Sequence, residues 1–237
     1  SPGIKPQKDL QKKLVRKKVY KLTLGCDDKV FSCLKTSWLS HRQVRKHLRP
    51  RILILGRLDP VKGHREFLKI FSKVLDNWSY VDLEKPYLMI IGKEENLSYK
   101  DLKDFIKAET KLSLGRDVLF RDQYFEKPEL VQALQETSLG VIPSLWSEEI
   151  CRVTQEFLLC GTPVCVSGVG SLNEALFENA GWTYDKLSQE KLIEEIPKWV
   201  RQASFEGEEE RTLRAKRAKD LFSFEAMANG LSKILGL

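Results

Sequence analysis

From Arg51 onward, short apolar runs of strand length alternate with longer stretches of helical apolar spacing, and this alternation constrains the fold more than any other feature. The runs Arg51–Gly56, Tyr87–Gly92, Asp117–Phe120, Leu139–Ile142 and Pro163–Val166 carry consecutive apolar residues rather than every second one. Such strands are buried on both faces, as in parallel sheets covered by helices. Between them lie predicted helices over His64–Leu75, Tyr99–Leu112, Lys127–Thr137 and about Cys151–Cys160; the first places Phe67, Ile70, Phe71 and Val74 on one face. The pattern predicts an α/β fold, a doubly wound parallel Rossmann-like sheet. Right-handed crossovers bring the loops after the strands to one edge, where such sheets bind their ligands. Three more helices follow, over Gln189–Ala203, Glu208–Leu221 and Phe224–Leu235.

Residues 1–50 stand outside this alternation. They hold 14 Lys/Arg against 3 Asp/Glu, a balance of +11, while the remainder holds 26 against 30, a balance of −4. We therefore divide the chain into a basic linker or extension over 1–50 and an α/β domain over 51–237. Within the extension, Pro2-Gly3-Ile4 reads as linker, 8–20 as a helix and 29–34 as a candidate strand. A basic stretch over 5–49 suits an anionic membrane surface or nucleic acid. The nucleic-acid reading rests on charge alone, because only Tyr20, Phe31 and Trp38 interleave the charges. A solvated charged helix over Lys8–Lys21 explains the charge equally well. No run approaches the ~20 apolar residues of a membrane span. Five cysteines without a C-x-x-C pair favour reduced thiols in a cytoplasmic protein, with Cys160 and Cys165 as small core residues.

The chemistry gathers after the strands. The first loop reads Gly56-Arg57-Leu58-Asp59-Pro60-Val61-Lys62-Gly63-His64. Gly56 lets backbone approach a ligand, and Arg57 and Lys62 suit a diphosphate, one as a planar fork and the other as a mobile point charge. Two ordinary surface cations in a solvated loop would look the same. His64 reads as a surface residue at a helix start, with a general base as the alternative. Gly92-Lys93 and Asp122-Gln123-Tyr124 read first as surface loops, with nucleobase contact as the alternative. After the fourth strand, Glu148 and Glu156 stand eight positions apart, one before a helix start and one inside the helix, about 10 Å apart at ~1.5 Å rise per residue. The first-turn N–H groups between them suit a phosphate. Carboxylates on both sides suit the hydroxyls of a sugar nucleotide. Gly168-Val-Gly170-Ser171 is read as the opening of a helix carrying Asn173 and Glu174. The sequence holds no H-E-x-x-H, D-x-D, P-loop or G-x-G-x-x-G motif, so neither a metal nor another cofactor is expected.

In order along residues 50–237, these patches resemble the group 1 retaining glycosyltransferases of GT-B fold, such as glycogen synthase and lipopolysaccharide mannosyltransferases. Gly56-Arg57-Leu58-Asp59-Pro60-Val61-Lys62-Gly63 is similar to G-R-L-x-P-x-K-G. Ile91-Gly92 resembles the second-strand glycine, and Glu148 to Glu156 resembles E-x7-E. Gly161-Thr-Pro-Val164 resembles G-x-P-V, Gly168 to Glu174 resembles G-G-x-x-E, and Phe222-Ser-Phe-Glu resembles the closing F-[ST]-W/F helix start. The resemblance implies a C-terminal donor-binding domain, with the acceptor domain outside this chain and transfer inactive without it. It implies retaining, metal-independent transfer from a UDP-, GDP- or ADP-linked sugar to a glycan or lipid-linked acceptor, in polysaccharide biosynthesis at the inner membrane face. Arg57, Lys62 and Glu148 are implied as catalytic, and Gly56, Arg57, Lys62, Gly92, Cys151, Arg152, Val153 and Glu156 as nucleotide-binding. A non-catalytic nucleotide-sugar-binding subunit is the alternative. Two departures stand out: Cys151 replaces the family's glycine, and Glu149 competes with Glu148 for the sugar.

Overall fold

The computed structural model describes residues 22–32, 49–122, 126–147, 151–185 and 187–236. The strands are β1 (Arg51–Leu55), β2 (Tyr87–Ile91), β3 (Val118–Arg121), β4 (Leu139–Ile142), β5 (Val164–Val166) and β6 (Gly181–Thr183). The helices are α1 (His64–Asp76), α2 (Tyr99–Glu109), α3 (Lys127–Gln135), α4 (Arg152–Leu159), α5 (Gln189–Phe205), α6 (Glu208–Phe222) and α7 (Phe224–Leu235).

Strand side chains alternate between two cores. Ile52 and Ile54 of β1, with Leu88 and Ile90 of β2, face the layer of α1, α2 and α5. Leu53, Met89 and Ile91 face the layer of α3, α4 and α6. Burial on both faces is why the strand runs are apolar throughout. The five strands expected from Arg51 onward and the helices expected up to Cys160 and from Gln189 onward form, within one to three residues at their ends.

All strand pairs are parallel, in the order β3-β2-β1-β4-β5-β6. The order reverses between β1 and β4, so the crevice of the sheet opens between the loops that follow these two strands.

Three expectations change. A sixth strand, β6, pairs with β5; at three residues it is too short to show a period. The segment after Gly168 makes one 3-10 turn, Leu172–Ala175, closed by bonds from Glu174 N–H to Ser171 O and from Leu176 N–H to Asn173 O. The chain then leaves for β6, which must start at the opposite edge. Of the candidate strand over 29–34, the described residues 29–32 turn instead: Val30 and Phe31 N–H both bond the Asp27 carbonyl, and the Asp27 side chain also accepts from Val30 N–H. This segment packs on the domain, with Cys26 N–H bonding Phe222 O at 2.6 Å and Gln155 Nε2 bonding Leu24 O at 3.2 Å. The predicted helix over 8–20 and the linker at 2–4 lie outside the described residues, as does most of the basic stretch 5–49.

Candidate functional site

Gly56 ends β1 at φ 147, a conformation open to glycine, and donates to Ile91 O at 3.0 Å. Its carbonyl crowds Gly92: a Cβ there would sit 1.8 Å from the Gly56 oxygen. The two predicted glycines thus meet face to face where β1 and β2 end.

Beyond Gly56 the loop is tied down by hydrogen bonds. Leu58 N–H bonds Lys93 O at 2.8 Å, and Glu95 and Leu97 N–H return to Leu58 O at 3.2 and 3.1 Å. Asp59 caps a 3-10 turn over Pro60–Lys62 by accepting from Val61 N–H at 3.0 Å. Its second oxygen accepts from Asn96 Nδ2 at 2.6 Å. These two donors hold the Asp59 carboxyl below its ordinary range. Asp before Pro is a helix-start signature, so this capping was visible in the sequence; Asn96 as its partner was not.

Gly63 closes the turn at φ 72, and a Cβ on it would lie 2.0 Å from Pro143 O. Leu145 N–H bonds Val61 O at 2.8 Å. The cationic loop after β1 is therefore docked on the loop after β4, across the crevice, although the two are some 80 positions apart in sequence.

The predicted site residues fall as follows. Arg57 is exposed and forms a close ion pair with Glu95. Lys62 is half-buried at the end of the 3-10 turn. Cys151 is the N-cap of α4, with no side-chain cap bond. Arg152 and Val153 open α4, Arg152 exposed and Val153 half-buried. Glu156 lies one turn further; burial raises its pKa, and Arg152 opposes the rise. Cys26 lies close enough to Glu156 that burial and this carboxylate push its thiol up to about 12. Glu148, Glu149, Gln123 and Tyr124 lie outside the described residues, so the E-x7-E pair is seen from Glu156 alone. Cys160 and Cys165 are core residues, as expected.

His64 departs from its expectation. It is 1% exposed, and burial lowers its pKa to about 4, partly offset by the Asp59 backbone carbonyl and carboxylate. Its neutral ring belongs to the floor under the loop. Gly63, pressed on Pro143, draws the start of α1 beneath the sheet edge, and no local pattern reports this.

Next to Gly92 a cleft of about 840 Å³ is lined by Lys93, Tyr99, Lys103, Lys107, Asp104 and Asp122 among others. Tyr99 braces its wall: its hydroxyl lies 3.0 Å from Gly92 N, 2.6 Å from Gly92 O and 2.7 Å from Arg121 O. Sequence reasoning missed Tyr99, whose place on the buried face of an amphipathic helix was the available signal. Among the described residues, no cluster of His, Cys, Asp and Glu has the makings of a metal centre, and no helix is long and apolar enough to cross a membrane.

The fold and the site together can be set against known proteins. D-inositol 3-phosphate glycosyltransferase of Paenarthrobacter aurescens (strain TC1) is 30% identical over 155 residues, 64% of this chain and 35% of that protein. The chain thus spans about a third of that curated relative. The C-terminal domain of a group 1 family glycosyl transferase from Francisella tularensis superposes at TM-score 0.60 with 18% identity, covering 83% of this chain and 96% of that one. Anabaena HepE, solved in complex with UDP-glucose, superposes at TM-score 0.65 with 18% identity, covering 90% of this chain and 56% of that one. These likenesses establish a GT-B type of domain. Residues 38–220, most of the chain and all of the docked loops, match the family described as "Glycosyl transferases group 1", and to that family the chain belongs.

Proposed function

We propose that this chain is the donor-binding half of a retaining glycosyltransferase that takes its sugar from a nucleoside diphosphate sugar. The observation that carries this reading is the docking of the Gly56–Gly63 loop onto the loop after β4, which sets Arg57 and Lys62 on the same crevice as the α4 N-terminus. Two cations and a row of amides suit a diphosphate there. Glu156, a turn inside α4, suits ribose hydroxyls, and the cleft beside Gly92 suits the base. Anabaena HepE, which shares this fold, has been solved with UDP-glucose.

In the proposed reaction the sugar–phosphate bond breaks through an oxocarbenium-like state, and charge builds on the departing diphosphate. Arg57, Lys62 and the α4 amides stabilise that charge as fixed donors that need no reorganisation. With this much positive charge in place, transfer proceeds without a divalent ion. Glu148 is assigned to the donor sugar, and the acceptor, a glycan or a lipid-linked glycan, is held by a further domain. The basic stretch 5–49 would favour an anionic membrane surface.

Calorimetry with UDP-, GDP- and ADP-linked sugars tests the reading. One nucleotide class binds, and EDTA leaves its affinity unchanged. Arg57→Ala and Lys62→Ala each weaken it by about 1.5–3 kcal/mol, roughly ten- to hundredfold. A folded protein that binds none of the three would refute the donor site.

A further inference from the structure

Arg57 is held by Glu95, Nη1 against Oε2. Glu95 is not on a loose loop. Its own N–H bonds Leu58 O, the next residue binds Asp59 through its side chain, and the backbone on both sides is laced to Leu58. The backbone of Glu95 is thus fixed next to Arg57, and exchange of the pair needs only side-chain rotation. Both partners reach solvent, at 58% and 40% exposure, so the pair is weak enough to be exchanged.

We propose that Glu95 is a specificity-determining residue of the donor site, one that holds Arg57 in a resting pair which only a ligand carrying a second phosphate displaces. The inference rests on the assignment of Arg57 to the diphosphate. A nucleoside monophosphate offers no group at the Arg57 position and leaves the pair intact. A diphosphate competes for the guanidinium directly, and Glu95 lowers its affinity by the strength of the pair. The same carboxylate reclaims Arg57 when the spent nucleoside diphosphate leaves, so it favours product release.

The test is a double-mutant cycle between Arg57→Ala and Glu95→Gln, read by calorimetry with UDP, GDP and ADP and the matching monophosphates. Glu95→Gln keeps the size of the side chain and removes its charge. It tightens the diphosphate that binds by about two- to fivefold, within the range of exposed ion pairs, and changes the monophosphate less than twofold. In the Arg57→Ala background the gain disappears. Unchanged or weaker diphosphate binding in Glu95→Gln, with Arg57→Ala still weakening it, overturns the role of Glu95 and leaves the donor site standing. Equal gains for mono- and diphosphate also overturn it, since they would reflect general charge. Absence of diphosphate binding by wild type and variant alike overturns both.

Discussion

At the amino edge of the sheet Arg211 and Arg214 lie almost wholly buried, and their donors are taken up. Arg211 bonds Gly161 O, Gln135 O, Thr137 O and Thr162 Oγ1, and Arg214 bonds Asn179 O, Gly161 O and the Glu206 carboxylate. At the carboxyl edge, by contrast, Thr154 Oγ1, Gln155 Oε1 and Asn173 Oδ1 are buried with no protein partner. Among the described residues only Ser204 Oγ breaks this division, near the amino edge. Buried polar groups are ordinarily satisfied, and exceptions cost stability. One edge uses its polar groups to tie α6 to the starts of β4, β5 and β6. The other carries polar groups that stability alone does not account for, beside the loops assigned to the ligand.

The largest effect is expected at the saturated edge. Arg211→Ala removes at least four buried bonds and leaves their acceptors unsatisfied, so unfolding in urea should show a loss of about 3–5 kcal/mol. Nucleotide affinity, measured where the variant is still folded, should not change. A parallel fall in affinity would break the division between the edges.

The next effect is the acid limb of stability. His64 has its pKa lowered by burial from 6.5 to about 4. Between those values the unfolded chain binds a proton that the folded chain refuses. Stability contributed by the neutral ring is therefore present above pH 6.5 and lost as pH falls towards 4, by about 3 kcal/mol. In His64→Leu, urea midpoints at pH 4.5 and 7.5 should lie closer together than in the wild type; an undiminished gap would assign the acid limb elsewhere.

The smallest effect sharpens the contrast most. The Glu156 carboxyl is raised above 4.5 by burial. The folded state then keeps a proton that the unfolded state gives up, so this residue's contribution is most favourable below pH 4.5 and declines as pH rises through the folded value. Glu156→Gln should raise the melting temperature slightly at pH 7.5, gain nothing at pH 4, and weaken nucleotide binding. A variant less stable at pH 7.5 would mean that Glu156 is structural.

Much of the fold was legible because its signals are local. Ile52 to Leu55 and Tyr87 to Ile91 report their two-sided burial in four or five consecutive residues, and Phe67, Phe71 and Val74 report a helix face in eight. Strand β6 was not legible: Gly181-Trp182-Thr183 earns its place only by pairing with β5. The residues proposed for the site were nameable from the sequence, Gly56, Arg57, Lys62 and Gly92 at or after strand ends and Glu156 inside α4. Glu95, Asn96 and Tyr99 were missed, because each acts on a loop to which it is joined by side chains or by the bridge between Leu58 and Glu94.

By itself the sequence determined which segments are strands and helices, which faces are apolar, and which loops carry charge at the carboxyl edge of the sheet. Those properties follow from the periods of strand and helix, which repeat within a few residues. Only the tertiary structure decided that the loops after β1 and β4 meet, that Gly63 presses on Pro143, that His64 is neutral and buried, and that Arg57 rests on Glu95. Each of these depends on strand order. The reversal between β1 and β4 makes neighbours of residues some 80 positions apart, and their separation through space, not along the chain, sets their hydrogen bonds and their charge.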